Sequence, residues 1–325
     1  MRILLSRTDR IGDLILSTPA IASVRASFPD AHITMVTSPY NHVVMDRNTD
    51  VDEVVDLPSA VKPAVFGARY RGYDLAVALA PRNADLQLIG ATRAPIRAGY
   101  TYVRRWVARA TAPFYVNRLM VSEADPQLCE RDPQRVVRHE VEQLLDLAAL
   151  AGAKQRIARL RLDVTAADRL AVAGFPAEPI VLHIGERWFA SGSTLKSTLA
   201  LVGELRALGL PVVVSCAHEC RAYAAPFAAV ADGVAAELPF HQWAALFERA
   251  RCVVTVDTGA THVASAVRRP TLVAFEHRYF RLNSQEWAPY GVPSVLVRKP
   301  EHGDEASLSQ FRAEIVRGAR TLIDG

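Results

Sequence analysis

The residue types and spacings most capable of chemistry fall in two glycine-bearing stretches. The first is Gly12-Asp13, which ends a polar turn after the apolar run Ile3-Leu4-Leu5 and opens an amphipathic segment reaching to Pro29. That order reads as strand, tight loop and helix. In an open α/β sheet such a loop lies at the carboxyl end of its strand, where ligands bind. Asp13 is then a carboxylate held at a ligand-binding edge. The competing assignment is a helix cap, because aspartate is a favoured N-cap residue. The second stretch is Asp257-Thr258-Gly259-Ala260-Thr261-His262, between the apolar run 252–256 and a helical segment that follows. Gly259 admits close approach of the backbone to a ligand. The N–H groups of the helix start, with the Thr258 and Thr261 hydroxyls, would cradle an anion such as phosphate or pyrophosphate, and His262 could donate to it. Here the alternative is a capped strand–helix turn with Asp257 or Thr258 as the cap.

Lesser candidates surround these two. His183-Ile184-Gly185 leads through a Ser/Gly/Thr loop to Lys196, a reasonable phosphate partner. Arg82 follows the apolar run 74–80 and reads either as a contact for an acidic substrate or as an exposed loop arginine. From Leu86 to Ser122 there is no acidic residue, but there are six arginines (Arg93, Arg97, Arg104, Arg105, Arg109 and Arg118) interleaved with tyrosine, tryptophan and phenylalanine. Such a segment suits an anionic surface, a phosphorylated ligand or a membrane interface. No RNA-binding signature accompanies it, so nucleic acid is not expected as a partner. Asp50-Val51-Asp52 leads straight into a strand and reads as a solvated turn. Cys216, His218 and Cys220 lack the second ligand pair of a closed zinc site, so no metal is expected. No glycine fingerprint, P-loop, HExxH or GxSxG occurs, which argues against a nicotinamide dehydrogenase.

The elements that must position these residues follow from hydrophobic pattern. Apolar runs at 2–6, 32–37, 53–57 and 74–80 in the first half, and at 180–184, 211–215, 252–256, 271–275 and 294–298 in the second, suit parallel strands buried on both faces. Helical segments between them, including 134–152, 198–208 and 241–250, predict doubly wound α/β sheets. At 325 residues the chain suits two domains, divided here as 1–172 and 173–325. The tail 305–322 reads as a helix that could pack back across the first domain. Net charge is +4 and the four cysteines are scattered. There is no signal-peptide pattern and no apolar run of the roughly 20 residues that span a bilayer. These features predict a soluble protein of a reducing compartment, cytoplasmic in location.

The two motifs together, RTDRIGDLILSTPA (7–20) and VDTGATHVASA (256–266), resemble glycosyltransferase family 9, the bacterial heptosyltransferases of lipopolysaccharide assembly. Tyr73-Asp74 and the helix near His139 fall in the family's order. The resemblance implies a GT-B fold, in which two Rossmann-like parallel-sheet domains face a central cleft. It implies an N-terminal acceptor domain and a C-terminal nucleotide-sugar domain. Asp13 sits where the family's general base does. Asp257, Thr258, Gly259, Thr261 and His262 fall in its donor motif, Lys196 at its donor-phosphate lysine and Glu219 near its nucleoside glutamate. Three donor-side stretches depart from the family: Ser197-Thr198 after Lys196, the turn at His183–Glu186, and Phe275-Glu276-His277-Arg278.

The implied reaction is inverting transfer of a heptose-like sugar from ADP-heptose to a lipopolysaccharide or related glycan. No metal or other cofactor is implied. Arg82, Arg104 and Arg105 would meet an anionic glycolipid at the inner membrane surface, giving peripheral association there. The alternatives are a GT-B transferase or epimerase for another sugar nucleotide, and a non-catalytic nucleotide- or glycan-binding protein.

Overall fold

The computed structural model describes the chain from Met1 to Gly325, the side chains of Glu186, Ser191 and Glu219 excepted. It divides into two compact units, Met1–Leu162 and Asp163–Gly325. The first is built on β1 (Arg2–Ser6), β2 (His32–Thr37), β3 (Glu53–Asp56), β4 (Leu75–Ala78), β5 (Ile96–Tyr102) and β6 (Arg118–Ser122). The second uses β7 (Ile180–Ile184), β8 (Val212–Cys216), β9 (Gly233–Ala236), β10 (Cys252–Val256), β11 (Thr271–Phe275) and β12 (Ser294–Arg298).

The sheet orders are β3-β2-β1-β4-β5-β6 and β12-β11-β10-β7-β8-β9. Counted along each unit, they are the same order, and every strand pair is parallel. Ile3, Leu4, Leu5, Val181, Leu182, Val253 and Val254 are fully buried. Helices on both faces remove the centre of each sheet from water, so its strands read as unbroken apolar runs. The order reverses between β1 and β4 in the first unit, and between β7 and β10 in the second. Loops leaving the carboxyl ends of such a strand pair diverge and open a crevice. Both chemical motifs lie there: Asp13 follows β1, and Asp257 to His262 follow β10.

Three strands lie outside the apolar runs. β5 and β6 fall within the arginine-rich stretch, whose arginines and tyrosines hide strand alternation. β6 sits at the sheet edge and is mostly half-exposed, so it needs no continuous apolar run. β9 is four residues of small side chains, also at an edge. The helix expected at 134–152 spans Glu140–Ala151 and ends at Gly152 in the left-handed region. It starts late because His139 caps it, the Val141 N–H donating to His139 Nδ1 (3.1 Å).

Asp50 is not solvated as the turn reading expected. It is buried, and Arg161 donates to both its oxygens (2.7 and 2.6 Å). The terminal helix, expected across the first domain, is Glu305–Asp324. It lays Leu308, Phe311, Ile315, Ala319 and Leu322 over β10, β11 and β12 of its own unit.

Candidate active site

In the first unit β1 delivers the chain into a short loop, and the helix Ile11–Ser27 begins with Arg10 as N-cap, without a side-chain cap bond. Asp13 is three residues further on, in the first turn, so it is not the capping residue. Helix geometry instead aims it back toward the loop. There it meets Arg7, whose Nη2 lies 3.3 Å from Asp13 Oδ1.

Arg7 is almost completely buried, with 2% of its side chain exposed. Its Nε donates to Asp9 (2.9 Å), and its Nη1 donates to Glu140 Oε1 (3.1 Å) and to the Leu79 carbonyl. The Leu79 contact crosses from the β1 loop to the β4 loop, over the switch point. Glu140 opens its helix and also accepts from the Tyr100 hydroxyl (2.5 Å). A fourth carboxylate, Asp85, lies fully buried beside the group and accepts from Ser6 Oγ (2.9 Å) and Thr8 Oγ1 (3.0 Å).

This crowding sets the charge on Asp13. Its side chain is about a fifth exposed (21%). Burial pushes its carboxyl up to about 7; Arg7 and Arg10 pull it down, and Asp9 and Glu140 push it further up. Burial likewise lifts Asp85 to about 6. A carboxylate poised near neutral pH, on a crevice edge and reachable by solvent, suits proton abstraction.

The expected acceptor arginines cluster at the same sheet edge. Arg82 Nη1 donates to the Thr8 carbonyl (3.2 Å), fixing it beside the β1 loop. Arg105 Nη1 donates to the Pro81 carbonyl (3.0 Å), and its guanidinium lies 5.2 Å from the Tyr102 ring centre. Arg104 lies 5.9 Å from the same ring. All three arginines are exposed. The aromatic residues of the segment divide sharply. Tyr100 and Tyr102 are buried, whereas Trp106 and Phe114 are 74% and 83% exposed.

In the second unit Thr258 caps the helix Gly259–Ala266 but makes no side-chain cap bond. The Thr258 and Thr261 hydroxyls donate instead to the Val256 carbonyl (3.2 and 3.1 Å), so their protons are not directed at an anion. Thr261 and His262 are buried. Arg187 Nη1, from the β7 loop, donates to the Asp257 carbonyl (2.7 Å) and pairs with its carboxylate (3.3 Å). This contact joins the two loops that flank the second switch point. Lys196 is exposed on the first turn of the helix Leu195–Arg206. Glu219 lies outside the described residues. His183 is a core residue: its Nδ1 lies 3.1 Å from Ser215 Oγ, and burial pushes it down to about 3, so it stays neutral.

The β7 loop is held from below by Lys299, just after β12. Its buried Nζ donates to the carbonyls of Arg187 (2.7 Å) and Ala190 (2.8 Å) and to Glu276 (2.8 Å). Gly192 has φ +83°, and a Cβ there would lie 2.6 Å from the Gly303 Cα, so both conformation and space require glycine. Lys299 thus ties Phe275–Arg278, a stretch that departs from the family pattern, to the loop after β7. Among the described residues no three His, Cys, Asp or Glu side chains are grouped to hold a metal ion.

Residue spacing pointed to Asp13 and to the 257–262 loop, but not to Tyr100, Glu140, Asp85 or Lys299. Glu140 and Tyr100 reach Arg7 from 133 and 93 residues away. Only Arg7, inside the first motif, carried a signal: an arginine directly after a buried strand.

Residues 200–311 match the sequence model of glycosyltransferase family 9 (heptosyltransferase). No curated protein matches the chain by sequence. Among solved structures, similar folds include a family 9 glycosyl transferase from Veillonella parvula. It has TM-score 0.77 and 18% identity, over 99% of this chain and 97% of that one. The ADP-heptose lipopolysaccharide heptosyltransferase II of E. coli has TM-score 0.76 and 17% identity, over 99% and 98%. The E. coli heptosyltransferase WaaC, solved with ADP, has TM-score 0.71 and 17% identity, over 98% and 100%. Residues 200–311 are thus similar to glycosyltransferase family 9, and the chain as a whole shares the GT-B fold of these structures.

Proposed function

We propose that the protein moves a heptose-like sugar from an ADP-sugar to a lipopolysaccharide or related glycan, with inversion at the anomeric carbon. Asp13 is the base. The acceptor oxygen bonds to the anomeric carbon as its proton passes to the Asp13 carboxylate. The bond from the anomeric carbon to the diphosphate breaks, and ADP leaves with that electron pair. The observation that carries this reading is Asp13 itself, a solvent-reachable carboxylate poised at about 7 on the first switch point. The exposed Lys196 and Arg187 and the start of the Gly259–Ala266 helix supply positive potential for the departing diphosphate. The reading assigns no metal. ADP as the nucleotide is supported by the family match and by the ADP named with WaaC.

The acceptor in this reading is an anionic glycolipid. Arg82, Arg104 and Arg105 stand at the edge that carries Asp13, and the exposed Trp106 and Phe114 beside them suit a lipid headgroup layer. No helix among the described residues is long and apolar enough to cross a membrane, so the association proposed is peripheral, at the inner face of the cytoplasmic membrane. The test pairs thermal shift with turnover. ADP should stabilise the protein more than UDP or GDP, and ADP-heptose should be consumed with a deacylated lipopolysaccharide core. Greater stabilisation by UDP or GDP would refute the donor. Transfer retained by Asp13→Asn would refute the base.

A further inference from the structure

The buried polar group behind Asp13 is larger than a base needs. Asp9 and Asp13 flank Arg7 from its own loop and helix, Glu140 reaches it from a second helix, and Tyr100 bridges to Glu140 from β5. Asp85 lies alongside on Ser6 and Thr8. Arg10 adds charge near Asp13, and Arg82 is held on the Thr8 carbonyl. The turn after β2 contributes Asn41, whose amide donates to the Arg7 carbonyl (3.0 Å), and His42, paired with Asp46 and Asp56. Of these cations only Arg7 is buried in the middle of the carboxylates. Glu140 Oε2 is also buried and has no hydrogen-bond partner among the described residues. Glu140 therefore spends one oxygen on Arg7 and Tyr100 and leaves the other without a partner among the described residues.

We propose that Arg7 is a positioning residue that keeps Asp13 ionised and aimed at the crevice, and that Glu140, held by Tyr100, opposes it so that Asp13 still takes up a proton. The proposal rests on the reading of Asp13 as base. The geometry gives each partner a sign. Arg7 favours the carboxylate as a nearby cation does. Glu140 disfavours it twice: as a like charge, and as the acceptor that competes for the guanidinium. A purely structural cluster would lose stability when either residue is changed, and would not shift Asp13 in opposite directions.

The experiment is a pair of neutral variants, Arg7→Gln and Glu140→Gln, read two ways. One reading is the acid limb of the pH profile of kcat for transfer. The other is the titration of the Asp13 carboxyl carbon by NMR in protein labelled at aspartate. Arg7→Gln should move both midpoints up by about one pH unit or more, the size of a close charge pair. Glu140→Gln should move both down. Tyr100→Phe, which loosens Glu140, should shift the profile less than Glu140→Gln does.

Midpoints that stay put, or that move the same way in both variants, overturn the proposal. If Arg7→Gln fails to fold, Glu140→Gln decides alone, and the absence of a downward shift overturns it. The base reading fails separately. If Asp13→Asn retains transfer while the NMR midpoints still move in opposite directions, Asp13 is not the base but Arg7 still sets its charge. If Asp13→Asn is inactive and the midpoints are unmoved, the base stands and the role of Arg7 falls.

Discussion

Replacing Asp13 by asparagine should stabilise the fold while sharply slowing transfer, and the gain should depend on pH. The Asp13 carboxyl is lifted from its ordinary 3.8 to about 7, first by burial, against the pull of Arg7. The folded protein therefore binds that proton more tightly than the unfolded chain does. Below pH 3.8 both states are protonated and the carboxyl has no effect on stability. As pH rises toward 7 the unfolded chain ionises first, and the folded state becomes progressively less stable. Above 7 the loss is complete, about 4 kcal/mol at roughly 1.4 kcal/mol per unit. Asparagine has nearly the same shape and does not ionise, and Arg7 keeps Asp9 and Glu140 as partners. Urea unfolding of both proteins at pH 5 and pH 8 should show the variant's advantage growing by about 2.5 kcal/mol between them. The same variant should lose transfer about 10²- to 10⁴-fold, the range for removing a general base. A pH-independent difference, or a variant less stable at pH 8, would refute the account of Asp13 as a carboxylate forced to ionise in a poorly solvated place.

Lys299→Met should cost about 2–3 kcal/mol in urea unfolding, because two loop carbonyls and Glu276 lose a charged donor. It should also weaken ADP binding by calorimetry, since Arg187 is carried on that loop. Gly192→Ala should cost about 1–3 kcal/mol, measured the same way, from its positive φ and the Gly303 backbone behind it. Trp106→Ser with Phe114→Ser should leave stability within about 0.5 kcal/mol, as both side chains are exposed. The double variant should nevertheless sediment several-fold less with phosphatidylglycerol vesicles, and unchanged sedimentation would remove the peripheral-membrane reading.

Much of the fold was legible because parallel strands buried on both faces leave near-continuous apolar runs, as in VLHI and CVVTV. The strands that escaped notice, β5, β6 and β9, carry arginines or small residues and lie toward sheet edges. The arginine-rich stretch looked like one surface and is two strands with a short exposed helix between them. Its Tyr100 and Tyr102 turn inward while Trp106 and Phe114 face water. Local pattern could not separate these roles, because burial is decided by neighbours distant in sequence.

The sequence by itself determined which loops are the candidates for chemistry. A glycine and an aspartate after β1, and a Thr-Gly-x-x-His turn after β10, are marked by short-range constraints of turn and helix start. The resemblance to family 9 rests on the same residues. Only the tertiary structure decided what those residues can do. It moved Asp13 from a cap to the first turn, put Arg7 at the centre of Asp9, Asp13 and Glu140, and turned the Thr258 and Thr261 hydroxyls, expected to join the helix N–H groups in an anion cradle, onto the Val256 carbonyl. The physical reason is that protonation and hydrogen-bond direction depend on burial and on nearby charge. Both are set by chain segments that meet only when the sheets assemble.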